Sequence, residues 1–173
     1  MKLKKGLIQI YTGNGKGKTT AAFGLAMRAA GAGLKVYILQ FIKEGSYSEL
    51  KTLTQIKGIK IEQCGRGCFI KGKPEKKDKD LAREGLAKAR VKIMSGIYDV
   101  VVLDEMNVAL KLGLISQKET LILLKNKPHN VEVVLTGRYC PKAVLRCADL
   151  ATEMKEIKHP YQRGVKARLG IEC

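Results

Sequence analysis

The sequence has no tryptophan, and aromatic residues occupy only 5% of its 173 positions. It also has no uninterrupted apolar run of the roughly 20 residues that a membrane-spanning helix requires. These two shortages exclude a transmembrane helix and argue against a nucleic-acid groove in which bases stack on aromatic side chains. The third scarce class is the acidic residues, with 16 Asp and Glu against 33 Lys and Arg.

The formal net charge is therefore +17, which attracts polyanions such as nucleotide phosphates, nucleic acid or an acidic surface. The lysines are dispersed along the chain, and acidic residues interrupt the densest basic stretch, KGKPEKKDKD at residues 71–80. A solvated, lysine-rich surface is therefore favoured, and a nucleic-acid groove is the less favoured alternative. We expect no nucleic-acid partner and no membrane partner.

The start of the chain, MKLKKGLIQIY, combines basic residues with a short apolar run, as a signal peptide does. No small-residue cleavage site separates that run from the glycine-rich stretch behind it, so we interpret it as a first strand. Five cysteines, an odd number, then favour reduced thiols in a cytoplasmic protein. The spacings Cys64/Cys68 and Cys140/Cys147 are too wide for a zinc knuckle pair, which favours free thiols over a metal site.

Strand-like and helix-like segments alternate along the chain. Apolar or β-branched runs predict strands at residues 7–11, 35–41, 59–63, 99–103, 131–136 and 150–154. Helical patterns fall at residues 18–30, 48–55, 76–95, 116–126 and 141–147. This alternation favours an α/β fold with a mostly parallel sheet. No linker or internal repeat divides the chain, so we expect one domain over residues 1–173.

The stretch TGNGKGKTT, residues 12–20, directly follows the first predicted strand. It nearly matches the phosphate-binding pattern G-x-x-x-x-G-K-[ST], except that Thr12 stands at the first glycine position and Gly13 comes next. In a strand–loop–helix setting, backbone N–H groups form a positive concavity for phosphate oxygens. Lys18 would place its ammonium on the outer phosphates, and the Thr19 hydroxyl would take a magnesium position. The alternative is a glycine-rich turn with an accidental Gly-Lys-Thr.

A predicted buried strand with two acids at its end supplies the second half of such a site. Residues 100–103, VVVL, are continuously apolar, and Asp104 and Glu105 follow them. Open α/β sheets bind ligands at the carboxyl ends of their strands. One acid could therefore hold magnesium directly or through water while the other orients a reactant. The competing interpretation is that Asp104 only caps the next helix.

A third candidate is Arg138, in the TGR that closes the strand predicted at residues 131–136. An arginine there can meet a phosphate or a substrate carboxylate, or it can form a surface ion pair, and the residues alone leave both open. Together these patterns predict a triphosphate-binding α/β protein. Phosphoryl transfer, motor-type hydrolysis and rarer chemistry all remain open at this point.

Seven segments, spread over nearly the whole chain, together resemble a known protein family. They are TGNGKGKTTAA, LQFIK, VVLDEMNVAL, LTGR, ADLATEM, KHPY and GVKARLGIEC, which begin at positions 12, 39, 101, 135, 148, 158 and 164. In this order they resemble the ATP:corrinoid adenosyltransferases of the CobA/BtuR type. The resemblance implies a P-loop NTPase (RecA-like) three-layer α/β fold and a homodimer.

The activity that the resemblance implies is transfer of the 5′-deoxyadenosyl group of ATP to the Co(I) centre of a corrinoid. Cobalamin, cobinamide and cobyrinic acid a,c-diamide are the possible acceptors, and triphosphate is the leaving group. The implied role is adenosylcobalamin synthesis or salvage, with electrons from a reductase, a flavoprotein. The corrinoid is interpreted as a substrate, because neither His129 nor His159 fits the Asp-x-His-x-x-Gly pattern of corrinoid-carrying proteins.

Carried over to this chain, the resemblance implies that residues 13–19 wrap the triphosphate. With Thr20 and Arg138 added, the expected ATP-binding set is Gly13, Asn14, Gly15, Lys16, Gly17, Lys18, Thr19, Thr20 and Arg138. It implies that Thr19 and Glu105, with Asp104, hold Mg²⁺, and that Lys18 and Glu105 are the catalytic residues. In the family, ATP lies reversed relative to ordinary phosphate-loop enzymes, and a first glycine shifted by one position is compatible with that reversal.

The chain departs from the family at residues 65–70, GRGCFI. Relatives commonly carry aromatic residues there, which help to strip the lower axial ligand from cobalt. In this chain Phe69 is the one aromatic residue of that segment.

Two other activities compete with this interpretation: a small-molecule kinase and a nucleic-acid-stimulated ATPase. Their products differ, because a kinase releases ADP and the ATPase releases phosphate in response to DNA or RNA. The adenosyltransferase would release triphosphate.

Overall fold

Six strands form one sheet in the computed structural model, which describes residues 2–67, 70 and 72–172. In chain order they are β1 (Ile8–Thr12), β2 (Val36–Ile42), β3 (Ile59–Gly65), β4 (Val100–Asp104), β5 (Glu132–Thr136) and β6 (Leu150–Glu153). The order across the sheet is β3-β2-β4-β5-β1-β6, and each of these neighbouring pairs is parallel. The predicted parallel α/β sheet is therefore confirmed.

Helices lie between the strands along the described chain. They are α1 (Lys18–Gly31), α2 (Ser48–Leu53), α3 (Lys76–Met94), α4 (Met106–Lys111), α5 (Gln117–Lys125) and α6 (Lys142–Leu145), followed by a 3-10 helix at Pro160–Arg163. Within the part of the chain that the structure describes, no helix combines the length and apolar character needed to cross a bilayer.

Two hydrophobic cores lie on the two faces of the sheet. Small side chains of α1, such as Ala22 and Ala26, pack in one core. Residues of α3, α4 and α5 pack in the other. Alternate positions of β2 divide between them, with Ile38 in the first core and Leu39 in the second. A strand covered on both faces favours a continuous apolar run, which is why the central strands have so few polar positions.

The predicted strands and helices all form, with ends that shift by one or two residues. β1, for example, runs one residue further than predicted and includes Thr12. The sequence did not predict α4, which begins immediately after Glu105. Its six residues, MNVALK, are too few to show a helical period.

Candidate functional site

The predicted site residues meet at one edge of the sheet. Because β4, β5 and β1 are neighbours and run parallel, their carboxyl ends lie side by side. The glycine loop follows β1, the acidic pair lies at the end of β4, and Gly137–Arg138 follow β5. This is the edge at which open α/β sheets bind ligands.

The alternating glycines of the loop are explained by the end of β6. The Gly15 N–H donates to the Met154 carbonyl oxygen at 2.6 Å. A Cβ atom at Gly13 or Gly15 would lie only 2.5 or 2.7 Å from that same oxygen, so a larger residue cannot fit at either position. Gly17 enters α1 with φ 113°, a conformation that glycine adopts without strain.

The shifted front end of the loop has a structural cause as well. Thr12 is the last residue of β1, where it pairs in register with Glu153, and its carbonyl oxygen accepts a hydrogen bond from the Met154 N–H at 2.8 Å. The first left-handed residue of the loop is Gly13, with φ 98°. The strand therefore occupies the position at which the usual pattern has its first glycine.

Lys18 begins α1 and is only 8% exposed. Its Nζ donates to the Gly15 carbonyl oxygen at 2.6 Å, so the ammonium lies against the loop that the sequence predicts to hold phosphate. Burial lowers the pKa of Lys18, and the nearby positive charge of Arg138 lowers it further, against the opposing effect of Glu105 and Asp104. Lys18 therefore interacts electrostatically with Arg138, Glu105 and Asp104.

Asp104 is completely buried and accepts four hydrogen bonds from side chains. Thr19 and Thr136 donate to its Oδ1 at 2.8 and 2.7 Å, and Gln40 and Lys43 donate to its Oδ2 at 3.0 and 2.9 Å. Burial alone would raise the pKa of Asp104, but the Lys43 charge and these hydrogen bonds hold it below its ordinary value. Both of its oxygens are engaged by side chains, so the interpretation of Asp104 as a mere helix cap is wrong.

Glu105 stands at the N-cap position of α4 in the left-handed conformation, with φ 58°. Its N–H donates to the Thr136 hydroxyl at 3.0 Å, and that hydroxyl donates to Asp104, so one threonine links both acids. Burial raises the pKa of Glu105, and the neighbouring Asp104 charge raises it further. A non-glycine residue at positive φ is uncommon, and such strain concentrates at functional sites.

The remaining predicted ATP ligands lie on the outside of the loop or near it. Asn14, Thr20 and Arg138 are exposed, and the structure leaves their roles as predictions. Lys16 turns to the segment 164–172: its Nζ donates to the Ile171 carbonyl oxygen at 2.9 Å and pairs with the Glu172 carboxylate at 3.1 Å.

Sequence reasoning missed the contacts of Gln40, Lys43 and Thr136 with Asp104. The LQFIK segment could have indicated Gln40 and Lys43. Its glutamine interrupts the apolar run of β2, and its lysine is the first residue after that strand. A buried polar side chain in a central strand usually has a specific partner. That partner is 64 positions away for Gln40, so the segment alone does not identify it.

A cavity of about 450 Å³ lies beside the site, at the carboxyl ends of β2 and β3. The Arg66 guanidinium at its wall donates to Asp78 at 2.9 and 3.0 Å and pairs with Glu75 at 2.8 Å. This ion pair joins the end of β3 to the start of α3. The departure from the family that we noted at Phe69 lies outside the described residues, as does Cys68.

The oxygen ligands that the site offers fit magnesium in a nucleotide complex. Thr19, Asp104 and Glu105 offer a hydroxyl and two carboxylates, the hard oxygen ligands that magnesium prefers. In the described ranges no group of three or more His, Cys, Asp or Glu side chains could hold a metal ion by itself. A magnesium ion here would therefore complete its shell with phosphate oxygens and water. The cysteines among the described residues, Cys64, Cys140 and Cys147, are free thiols.

A parallel sheet with a glycine loop and Gly-Lys-Thr after β1, and a buried acidic pair at the end of β4, defines a P-loop nucleotide-binding protein. The family model described as ATP:corrinoid adenosyltransferase BtuR/CobO/CobP matches residues 4–173. The chain belongs to this family of enzymes.

Curated relatives agree with the family model. A corrinoid adenosyltransferase of Escherichia coli (strain K12) is 35% identical over 169 residues, which cover 98% of this chain and 86% of the relative. One from Sinorhizobium sp. is 37% identical over 173 residues, 98% of this chain and 81% of the relative. Corrinoid adenosyltransferase CobA of Salmonella typhimurium is 32% identical over 169 residues, again 98% of this chain and 86% of the relative.

Proposed function

We propose that this protein transfers the 5′-deoxyadenosyl group of ATP to the Co(I) centre of a corrinoid, with triphosphate as the leaving group, and that residues 1–173 act as one domain. The observation that carries the proposal is the joining of the glycine loop to the acidic pair, through the Thr19–Asp104 hydrogen bond of 2.8 Å, in a chain of this family.

The reaction is a substitution at carbon. The electron pair of Co(I) forms a bond to C5′ of the ribose, the C5′–O5′ bond breaks, and its electron pair leaves with the triphosphate. Negative charge therefore builds up along the whole leaving group. In this proposal the loop N–H groups, the Lys18 ammonium and Arg138 neutralise it, and the contact of Lys18 with the Gly15 carbonyl oxygen of the same loop supports the role of Lys18.

Magnesium would be held by Thr19 and Glu105 and would spread the charge of the phosphate oxygens. We assign Glu105 as the direct ligand because the oxygens of Asp104 already accept four side-chain hydrogen bonds. Asp104 then acts as the acceptor that orients the Thr19 hydroxyl, as partners of metal ligands commonly do.

The same proposal includes an oligomeric state, a cellular location and a protein partner. We infer a homodimer, a cytoplasmic location and a flavoprotein reductase that supplies electrons to cobalt, all from the family resemblance. Sedimentation velocity tests the dimer directly. Nucleic acid is not an expected partner, so ATP turnover should not depend on added DNA or RNA at physiological salt.

The test is incubation of the protein with ATP, magnesium and chemically reduced cobinamide or cobalamin. We expect a cobalt–carbon bond to form, as monitored by spectroscopy. One triphosphate should be released for each bond formed. Release of ADP with a phosphorylated acceptor would instead identify a kinase, and release of phosphate stimulated by DNA or RNA would identify a nucleic-acid-dependent ATPase.

A further inference from the structure

β2 ends in a residue with an unfavourable backbone. Ile42 has φ 68°, a conformation that is a genuine outlier for a β-branched residue. Gly65 pairs with it in register on β3, and a Cβ atom at Gly65 would lie 2.0 Å from the Ile42 carbonyl oxygen. The neighbouring strand therefore accommodates this turn only because it has no side chain there.

The residue that follows the turn is Lys43, and its side chain is only 15% exposed. Its Nζ lies 2.9 Å from Oδ2 of Asp104. An ammonium group buried to this extent requires a charged or strongly polar partner. The turn at Ile42 thus leads the chain from the end of β2 to the acid at the end of β4, its neighbour in the sheet.

Among the described residues four side chains donate to Asp104, and of these Lys43 is the charged one. With Gln40 it occupies Oδ2, which leaves Oδ1 to Thr19 and Thr136. The Thr136 hydroxyl in turn accepts the N–H of Glu105, so the orientation of the Asp104 carboxylate affects both proposed magnesium ligands.

Stability alone does not explain this arrangement. A buried ion pair often contributes no more stability than well-packed apolar residues of similar size. Here the pair also coexists with a strained backbone, which persists at sites where its surroundings enforce it and where function requires it.

We propose that Lys43 is a positioning residue of the nucleotide site. By holding Oδ2 of Asp104, it keeps Oδ1 directed at Thr19 and Thr136 and so fixes the hydroxyl and the carboxylate that share magnesium with the triphosphate. The inference rests on the proposed function, because it concerns the same ATP and magnesium.

The experiment compares Lys43→Gln, Lys43→Met and Lys43→Arg with the wild type and with Lys60→Gln. Lys60 is a matched control: it is a half-exposed lysine of β3, the strand beside β2, and it pairs with Glu62 on the same strand. The measurement is the dissociation constant of ATP by calorimetry, in EDTA and over a series of free magnesium concentrations. Thermal melts identify which variants fold like the wild type, and Lys43→Met, which places no new polar group in the site, carries the test if Lys43→Gln does not fold.

In Lys43→Gln and Lys43→Met, we expect the magnesium concentration that half-maximally tightens ATP binding to rise about tenfold, while binding in EDTA changes by less than about threefold. Lys43→Arg, which keeps the charge, should recover most of the magnesium response, and Lys60→Gln should match the wild type. An unchanged magnesium response in a folded Lys43→Gln or Lys43→Met protein would overturn the proposal. An equal loss of ATP binding with and without magnesium would also overturn it.

The same controls separate this inference from the proposed function. If neither the wild type nor Lys60→Gln binds ATP in a magnesium-dependent way, the proposed function itself is wrong. If both do and the Lys43 variants behave like them, only the role of Lys43 is wrong.

Discussion

Two charged clusters contact the phosphate loop or the helix behind it, and they differ in burial. The Asp104 cluster, joined to α1 through Thr19, has a carboxylate with no exposed surface. The Glu172 cluster, joined to the loop through Lys16, consists of a carboxylate between Lys16 and Arg168. The two basic side chains are about half exposed, and the Glu172 side chain is 18% exposed. Charges in water interact weakly, whereas a buried charge depends on each of its partners. Similar ion pairs should therefore respond very differently to substitution.

The largest expected effect is on stability at Asp104. Asp104→Asn should lower the free energy of unfolding by about 3–5 kcal/mol, because it leaves the Lys43 ammonium buried without its counter-charge. Glu172→Gln is the control from the exposed cluster and should leave the melting temperature nearly unchanged. Denaturant unfolding of both variants measures the contrast, and equal losses would remove the distinction between the clusters.

The two lysines of the loop sharpen the same comparison for activity. Lys18→Ala should raise the activation free energy of turnover by about 1.5–3 kcal/mol or more, because it removes a charge-assisted contact with the leaving group. Lys16→Ala should have a much smaller effect, since Lys16 is exposed and contacts Ile171 and Glu172. Initial rates at saturating ATP, on protein checked for folding by circular dichroism, decide the matter. Near-normal turnover in Lys18→Ala would count against the assignment of the site.

The two acids of the buried cluster should differ in their effect on magnesium. Glu105→Gln is expected to raise the magnesium requirement by about tenfold, and by more than Asp104→Asn does, because Glu105 is the proposed direct ligand. Titration of magnesium at fixed ATP in both variants measures this order. The reverse order would mean that the two roles are exchanged.

The smallest effect concerns pH in the absence of metal. The pKa of Glu105 is raised, first by burial and then by Asp104, so its neutral form is favoured in the folded state. The stability that this contributes is fully present below the pKa of the unfolded chain and is lost as pH rises through the higher folded pKa. In EDTA, the free energy of unfolding of the wild type relative to Glu105→Gln should therefore fall as pH rises from 4.5 through that window. Urea unfolding at several pH values tests the sign, and a rise would contradict the burial of Glu105.

Much of the site was predictable because its signals are local. The Gly-Lys-Thr after a strand, the acidic pair after VVVL and the TGR that begins with the last residue of β5 each occupy consecutive positions. Parallel strands bring their carboxyl ends to one edge, so consecutive patterns were enough to predict that these groups meet. The role of Lys43 was not predictable in this way, because its partner is 61 positions away.

The sequence by itself determined the described strands, the described α-helices other than α4, and the identity of the phosphate loop. Apolar runs, glycines and the loop pattern act over a few neighbouring residues. Tertiary structure alone decided that Gly13 and Gly15 face Met154, that Lys16 turns away to Ile171 and that Asp104 is enclosed by four donors. The physical reason is that each of these outcomes depends on a contact between segments far apart in the chain. The Thr19–Asp104 bond, for example, joins residues 85 positions apart that become neighbours only when the sheet forms.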